Sequence, residues 1–356
     1  MLGIVVTQKI VRKGGFKSHH DHGQLEPDLL KLKDDLTFAV VVPCYNEAGK
    51  IAATLETIPP YIDTVYVVDD QSKDDTLSVI EQVARNDSRV NIIRHEVNRG
   101  VGAAISTGYI QCAKDGIDIA VVMAGDGQMD PDDLPALLIP VIKDQADYVK
   151  GNRFFHHTGT AEMPRHRLFG NLALSVMTKI VSGYWHVSDT QCGYTAINRE
   201  ALEAVDWTAV YPRYGCPNDI LTRLNVADMR VAEVPVKARY GENWSSGMKV
   251  GRILGPMLRL LSRLFFYRMY YKYVFLNGHP IIIYYAAAAA FGAFGGGLFI
   301  YMLIKLLATS VIPKAALIMF GFSFVVMIQL LLAAFSLDYQ ANQSISVIVR
   351  DPRGRR

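Results

Sequence analysis

Acidic and amide side chains that could bind a metal or a nucleotide follow short apolar runs in this chain of 356 residues. Asp126 and Gln128 come after one run, and Asp69 and Asp70 end another. A divalent cation is bound in proteins by one or two carboxylates together with phosphate oxygens, and it neutralises the charge that builds up on a departing diphosphate. We therefore expect a metal-bound diphosphate beside Asp126, and a nucleobase that donates hydrogen bonds to Asp69 or Asp70.

The elements that position these residues are predicted by an alternation of strand and helix patterns. Buried-strand runs occupy 38–42, 65–68, 90–94 and 119–123, and helical stretches occupy 47–58, about 75–85 and the segment opened by 100–104. This alternation indicates a largely parallel sheet with helices on both faces. Ligands bind beyond the carboxyl ends of such strands, where the polar clusters 43–47, 69–70 and 125–128 all lie.

Each of these features has a simpler explanation when it is taken alone. A single aspartate at a strand end is often a helix cap, and 72–75 can act as one; three converging strand ends carry more weight. The glycine-rich run 98–104 has the outline of a dinucleotide fingerprint, but Ile105 replaces its third glycine and it follows the third strand. We therefore exclude an oxidoreductase and assign these glycines to a tight turn and close helix–sheet packing.

The last third of the chain indicates a membrane anchor. Residues 281–304 and 315–337 carry no charge, and each is long enough to cross about 30 Å of hydrocarbon as a helix. A short link joins them into a hairpin. The preceding segment, 248–275, combines basic and aromatic residues without an acid, which favours an interfacial helix over one packed on its own domain. Basic residues flank both outer ends of the hairpin, which predicts that both termini face the cytoplasm.

Charge and cysteine content narrow the class of protein. The net charge is +3, but the residues from 243 onward carry twelve basic and two acidic side chains. An acidic N-terminal part and a basic, apolar C-terminal part favour an enzyme at an anionic membrane surface over a nucleic-acid binder. The four cysteines form no C-x-x-C pair, which indicates reduced thiols. The polar leader 1–36, with three histidines, is expected to be a solvated arm.

Six motifs then occur in a fixed order. They are P-C-Y-N-E (43–47), V-V-D-D-Q-S-K-D-D-T (67–76), N-R-G-V-G-A-A (98–104), G-D-G-Q-M-D-P (125–131), G-N-R (151–153) and D-T-Q-C-G-Y (189–194). Together they resemble family 2 glycosyltransferases of the polyprenyl-phosphate type, such as dolichyl-phosphate mannose and glucose synthases. The resemblance covers about residues 37–250 and implies a GT-A fold, an α/β architecture with a mostly parallel sheet. The two-span anchor is similar to that of the bacterial and archaeal branch.

The resemblance implies a nucleotide pocket and a metal site. The nucleotide pocket would be formed by Pro43, Tyr45, Asn46, Glu47, Asp69, Asp70 and Gly125. Asp126 and Gln128 match the second acid and the glutamine of the family's D-x-D-x-Q motif, which implies a divalent cation, Mg²⁺ or Mn²⁺. Ala124 stands where the family has the first acid, so this chain lacks one of the expected carboxylates.

The resemblance also implies a catalytic set and an acceptor-phosphate set. The catalytic set is Asp126, Arg153, Asp189, Gln191 and Asp219, with Arg153 meeting the acceptor phosphate. Further acceptor-phosphate residues are Arg165, Arg167 and Asn171, and Arg239, Ser246 and Lys249 in a membrane-proximal loop. Because a polyprenyl phosphate is already an anion, such a site needs alignment and cations more than a base. Arginine suits this task because its planar fork matches phosphate.

The sequence thus predicts an inverting glycosyltransferase that moves a sugar from a nucleotide diphosphate sugar to a polyprenyl phosphate on the cytoplasmic leaflet. The segment 189–194 is closer to the glucosyl-transferring branch, which favours UDP over GDP. Two alternatives stay open: a non-catalytic lipid-sugar binding protein, which the loss at Ala124 would suit, and a processive polysaccharide synthase, whose Q-x-x-R-W motif the sequence lacks. Assembly into a homo-oligomer is also open.

The expected division of the chain follows from these patterns. It comprises an N-terminal extension (1–36), a catalytic domain (37–242), interfacial amphipathic helices (243–278), a transmembrane hairpin (279–340) and a basic cytoplasmic tail (341–356).

Overall fold

A computed structural model describes residues 26–33, 35–155, 165–237, 250–276 and 278–349. Within these ranges, only the backbone is described at 155, 165–173 and 250–254. The acceptor-phosphate candidates Arg239, Ser246 and Lys249 lie outside the described residues, as does most of the N-terminal extension.

A single eight-stranded sheet forms the centre of the part that the sequence predicts to be catalytic, which we call the catalytic part. Its strands are β1 Phe38–Cys44, β2 Thr64–Asp69, β3 Val90–Arg94, β4 Ile119–Val122, β5 Tyr148–Asn152, β6 Thr195–Asn198, β7 Val231–Pro235 and β8 Ser346–Val347. They lie in the order β3-β2-β1-β4-β6-β5-β7-β8. β6 runs antiparallel to β4 and β5, and the other pairs are parallel. The prediction of a mostly parallel sheet is confirmed.

Helices cover both faces of this sheet, and further helices pack outside these layers or form a C-terminal hairpin. In chain order they are α1 Glu26–Lys33, α2 Ile51–Glu56, α3 Thr76–Asn86, α4 Val101–Lys114, α5 Leu134–Ile142, α6 Arg165–Ser182, α7 Arg199–Ala204, α8 Cys216–Val226, α9 Val250–Arg268, α10 Ile281–Thr309 and α11 Lys314–Ala341. One apolar core joins the sheet to α1, α2, α3 and α5, and a second joins its other face to α4, α7 and α8. β1 is buried along its whole length because it lies between these two cores.

The N-terminal extension contributes to the fold from residue 26 onward. Leu29 of α1 is buried in the first core. Lys33 donates hydrogen bonds to the Tyr61 carbonyl and to the Asp63 carboxylate, both at 2.7 Å. The last part of the expected solvated arm is therefore a helix packed on the catalytic core.

The C-terminal part contains two long apolar helices, α10 and α11, that pack against each other. By length and composition both could cross a membrane, and little of their surface is buried inside the protein. Between α9 and α10 the chain makes a π-helical segment, Met269–Leu276. Exposed aromatic residues on α9 and this segment, such as Phe266 and Phe275, precede the hairpin in the chain.

The chain returns to the catalytic sheet after this hairpin. β8 pairs with β7 in parallel, with Ser346 opposite Val231. Over these residues the expected cytoplasmic tail is therefore an edge strand of the catalytic sheet. No pattern in the sequence indicates this strand, because two residues are too few to show an apolar period.

Gly108 determines how closely α4 packs on β1. A Cβ atom at this position would lie 2.2 Å from Cγ1 of Val41, inside van der Waals contact. We predict that Gly108→Ala lowers the free energy of unfolding by about 1–3 kcal/mol, because the helix must move off the sheet. Thermal unfolding of the purified protein in detergent measures this change. Gly49→Ala is the control, since a Cβ atom there meets nothing within 4 Å. Equal melting temperatures for the two variants would contradict the prediction.

Candidate functional site

The loops that follow β1 and β2 are locked together at the carboxyl edge of the sheet. Asn46, with a left-handed φ of 56°, accepts a hydrogen bond from the Lys73 amide at 2.8 Å and donates its own amide to Ser72 Oγ at 3.0 Å. The Glu47 amide donates to Thr76 Oγ1 at 2.8 Å. The first two polar clusters therefore form one rigid surface, beside which Tyr45 is exposed.

Asp70 is buried and is bonded to protein donors. Its Oδ1 accepts from the Arg99 amide at 2.8 Å and lies 2.7 Å from Nδ1 of His95, while Oδ2 accepts from the Gly100 amide at 2.7 Å. Asp70 thus holds the turn at Gly100, where φ is +100°, and fixes the start of α4. The tight turn expected of these glycines is present. Gly102, however, packs against the loop at Tyr211 and against Cys216 rather than the sheet.

Asp69 is fully buried at the end of β2. Its Oδ1 accepts from the Ser72 amide at 3.1 Å. Among the described residues no group is hydrogen-bonded to its Oδ2, although Nε of Arg94 lies 3.8 Å away. Nucleobase recognition by Asp69 or Asp70 stays a prediction. Both carboxylate oxygens of Asp70 already accept hydrogen bonds from backbone amides, whereas Oδ2 of Asp69 accepts none from the described residues.

Asp126 lies in the turn after β4, next to the loop that follows β1. The Gly125 amide donates to the Pro43 carbonyl at 3.3 Å, and a Cβ atom at Gly125 would lie 2.9 Å from Cδ1 of Ile51. This close approach brings Asp126 near Glu47. Burial raises the pKa of Glu47 despite the nearby Lys50, and the charge of Asp126 raises it further.

The residues at this turn fit a hard divalent cation. Asp126 is half-buried, its Oδ1 accepts from the Gln128 amide at 3.1 Å, and the Glu47 carboxylate is close enough to repel it. No group of three or more His, Cys, Asp or Glu gathers as a metal cluster within the described ranges. A site with few protein ligands suits a cation that keeps positions for water and phosphate oxygens. Asp126 and Gln128 are the residues that would hold it.

A second polar network forms where β5 ends and β6 begins. The Arg153 guanidinium donates Nε to Oδ2 of Asp189 at 2.7 Å and Nη2 to Oδ1 at 2.9 Å. Burial alone would raise the pKa of Asp189, but the hydrogen bonds and charge of Arg153 outweigh it and hold the pKa below its ordinary value. Asp189 is therefore an anion that orients the arginine expected to meet the acceptor.

Glu233 on β7 holds this network in place. Its Oε1 accepts from the amides of Ser188 and Asp189 at 2.8 and 2.9 Å, and its Oε2 accepts from Nδ2 of Asn152 at 2.8 Å. Buried Lys150 donates to the Cys192 carbonyl on the same loop. Burial lowers the pKa of Lys150. The loop 188–192 is thus fixed by a buried lysine and a half-buried glutamate from neighbouring strands.

Gln191 and Asp219 make different contacts at the edge of this network. Gln191 Nε2 donates to Oδ1 of Asn218 at 2.9 Å, and Thr178 Oγ1 on α6 donates to the same oxygen at 2.9 Å. Asp219 instead accepts from the Tyr211 amide at 2.7 Å and from Nε of Arg223 at 2.8 Å. These contacts hold the loop before α8, so a catalytic role for Asp219 stays a prediction.

The topology brings most of the expected site residues to one sheet edge. Residues after β1, β2, β4 and β5 meet there because these strands are parallel, and the loop before antiparallel β6 joins them. Arg165, Arg167 and Asn171 lie on α6, which follows β5, and their side chains are not described.

Sequence reasoning missed Lys150, Asn152, Asn218, His95 and Glu233. A signal was present at two of them, because Lys150 and Glu233 are the charged residues of β5 and β7. Charges that are wholly or partly buried in a sheet are usually paired. Asn152 stands in the G-N-R motif but was given no role there, and Asn218 and His95 carried no signal in the sequence.

Comparison with known proteins gives one family and one fold. The family model described as Glycosyl transferase family 2 matches residues 39–206. A UDP-N-acetylglucosamine–dolichyl-phosphate N-acetylglucosaminyltransferase of Methanococcus voltae is 32% identical over 221 residues, which cover 58% of this chain and 88% of the relative. An undecaprenyl-phosphate mannosyltransferase of Micrococcus luteus is 31% identical over 225 residues, 62% of this chain and 91% of the relative.

Solved structures agree on the fold. The crystal structure of glucosyl-3-phosphoglycerate synthase from Mycobacterium tuberculosis, in complex with Mg²⁺ and UDP, matches with a TM-score of 0.50 and 22% identity. The match covers 69% of this chain and 83% of that one. The expected GT-A fold is confirmed.

The Asn152–Glu233 contact can be tested by exchanging its acid and amide. In Glu233→Gln the new Nε2 faces Nδ2 of Asn152, which cannot flip without losing the bond from the Phe154 amide to its Oδ1, 2.8 Å long. We expect this variant to lose about 1–3 kcal/mol of stability, the typical cost of an unsatisfied buried polar group.

The double variant Asn152→Asp/Glu233→Gln is the matched rescue. The carboxylate introduced at position 152 accepts from the glutamine and still accepts from the Phe154 amide, so stability should return toward that of the wild type. Thermal unfolding of the wild type, the two single variants and the double variant gives the coupling between the two positions. If the two losses simply add in the double variant, the contact does not hold the loop in the way inferred above.

Proposed function

The chain belongs to glycosyl transferase family 2, and on this premise we propose that it transfers a sugar from a nucleotide diphosphate sugar to a polyprenyl phosphate at a membrane surface. The observation that carries the proposal is the meeting of two differently charged sites at one sheet edge. Asp126 and Gln128 suit a cation-bound diphosphate, whereas Arg153, oriented by Asp189, suits a phosphate anion.

The acceptor class is supported by the relatives and by the C-terminal helices. The curated relatives described above are named for dolichyl-phosphate and undecaprenyl-phosphate acceptors. The hairpin of α10 and α11, with the exposed aromatic residues before it, would anchor the catalytic part at a bilayer. The basic flanks of the hairpin favour the cytoplasmic side. The UDP-sugar in the name of the Methanococcus relative supports a uridine donor over a guanosine donor.

The transfer is a single displacement with inversion at the anomeric carbon. A phosphate oxygen of the acceptor forms a bond to that carbon while the bond from the carbon to the diphosphate oxygen breaks, and the nucleoside diphosphate leaves with the electron pair. The acceptor is already an anion, so no side chain must take its proton. Arg153 binds the acceptor phosphate, and the loop 188–192 aligns the donor sugar. A divalent cation held by Asp126 and Gln128 would neutralise charge on the diphosphate.

The direct test is transfer by the purified full-length protein. It is incubated with a panel of UDP- and GDP-sugars, polyprenyl phosphate in vesicles, and Mg²⁺ or Mn²⁺, and the lipid product is identified by mass. We expect a polyprenyl phosphate sugar from a UDP-sugar. If a nucleotide binds but no lipid product forms with any donor, the protein is a non-catalytic binder instead.

Asp126 tests the metal assignment. We expect Asp126→Asn to lower the transfer rate at least about 100-fold, because several kcal/mol of charge stabilisation is lost from the diphosphate. Asp132→Asn is the matched control, since Asp132 is an exposed acid in the same segment. A near-normal rate in Asp126→Asn would remove Asp126 from the metal role.

Ala124→Asp extends this test in the opposite direction. It supplies the carboxylate that the chain lacks in the family's metal motif. We expect Mn²⁺ to bind at lower concentration, which calorimetry in the presence of UDP measures without any turnover. Unchanged Mn²⁺ affinity would mean that residue 124 does not face the cation.

A further inference from the structure

A buried ion pair joins the last helix of the hairpin to α9. Asp338 lies near the end of α11 and is 1% exposed, and Arg268 ends α9 and is 0% exposed. Nη1 of Arg268 donates to Oδ1 of Asp338 at 2.7 Å, and Nη2 donates to Oδ2 at 3.1 Å. This fork-to-carboxylate geometry fixes both the distance and the orientation of the two groups.

Two further side chains complete the bonding of this carboxylate. The Tyr273 hydroxyl donates to Oδ1 of Asp338 at 2.5 Å, and Nδ2 of Asn342 donates to the same oxygen at 3.1 Å. Asn342 also donates to the Tyr273 oxygen at 2.8 Å. We call the four residues Arg268, Tyr273, Asp338 and Asn342 the polar lock.

The polar lock is bonded directly to the catalytic part. Nη2 of Arg268 donates to the Ile180 carbonyl on α6 at 2.9 Å, and Nδ2 of Asn225 on α8 donates to Oδ1 of Asn342 at 2.8 Å. Gly183, with φ of +78°, makes room for the guanidinium, because a Cβ atom there would lie 2.4 Å from Nη1. The Arg268 guanidinium thus contacts both Asp338 of the hairpin and the Ile180 carbonyl of the catalytic part.

The helices α6 and α8, which are hydrogen-bonded to the polar lock, also lie beside the candidate site. Thr178, two residues before Ile180 on α6, donates to Asn218 on α8, and Asn218 accepts from Gln191 of the donor-sugar loop. A displacement of α6 or α8 relative to the hairpin would therefore move the loop that aligns the sugar.

We propose that Asp338 is a positioning residue, which holds the catalytic part at one height and orientation on the hairpin so that a membrane-confined phosphate reaches Arg153. The inference rests on the proposed function. An apolar contact could hold the two parts together equally well, because buried ion pairs add little net stability. The polar lock adds a fixed orientation of the catalytic part relative to the hairpin, since its hydrogen bonds form in one arrangement only. Misplacement by about 1 Å can cost about 100-fold in rate.

The test compares two acceptors in the full-length protein. Arg268→Met/Asp338→Leu replaces the pair with apolar groups and is expected to stay folded. Asp338→Asn removes the charge and turns one accepting oxygen into a donor, and Glu203→Gln, at an exposed acid on α7 far along the chain from the polar lock, is the control. Each protein is assayed with long-chain polyprenyl phosphate in vesicles and with a short, water-soluble isoprenyl phosphate.

We expect both lock variants to raise the KM for the vesicle acceptor at least about 10-fold, which is less than the loss of about 100-fold that a misplacement of about 1 Å can cause. The kcat and the KM for the nucleotide sugar with the short acceptor should stay within about 3-fold of wild type, as for the control. Equal losses with both acceptors, or no loss with either, would overturn the proposal. If the wild type transfers to neither acceptor, the proposed function fails instead.

A second measurement tests the lock without any turnover. All four cysteines are buried, so Tyr214→Cys, at a site 63% exposed in the wild type, can be labelled selectively with a fluorophore. Energy transfer to a headgroup dye then reports the height of the catalytic part in nanodiscs. We expect a broader distance distribution in both lock variants and an unchanged one in Glu203→Gln. An unchanged distribution in the lock variants contradicts the proposal, whatever the enzyme assays show.

Discussion

The ion pair between Arg153 and Asp189 is the interaction on which the functional edge of the sheet depends. It joins the end of β5 to the loop before β6, and the Asp189 side chain is 1% exposed. Because the pKa of Asp189 is lowered in the folded protein, the pair stabilises the fold fully above the ordinary carboxyl range. That contribution is lost as the pH falls through the lowered pKa. The Asp189 carboxylate that stabilises the fold also holds the Arg153 guanidinium in one orientation.

The two halves of the site are built in opposite ways. Around Arg153 the charges are compensated by the protein, since Asp189 pairs with the arginine and Glu233 accepts three hydrogen bonds. At the turn after β4, burial and then the charge of Asp126 raise the pKa of Glu47, although Lys50 lies 3.6 Å from its carboxylate. The proposed function assigns the acceptor phosphate to the oriented guanidinium and a cation to this acidic turn.

The first half of the fold could be predicted because its signals are local. The strands β1 to β4 are apolar runs of four to seven residues, and their polar ends mark the edge where ligands bind. β5 and β7 were not predicted, because Lys150 and Glu233 interrupt their apolar pattern. Those charges are tolerated only through partners 42 and 44 positions away, and no local period can reveal such contacts.

The same limit applies to the C-terminal hairpin. The presence of α10 and α11 could be predicted from the uncharged runs 281–304 and 315–337, but the helices extend beyond these runs to 29 and 28 residues, or about 43 Å each at 1.5 Å per residue. The ion pair of Asp338 could not be predicted, because its partner Arg268 lies 70 positions earlier. In the sequence this aspartate only marks the point where the apolar run stops.

The path of the chain places the polar lock at a junction that is tied on both sides. The hairpin is inserted between β7 and β8, so both of its ends are tied to the catalytic part, one through α9 and the other through the edge strand. The apolar contacts at this junction are not directional, whereas the hydrogen bonds to the buried Asp338 carboxylate are. If the proposed acceptor is confined to a membrane, this fixed orientation would set the height of the site, because the fold itself then determines where Arg153 lies.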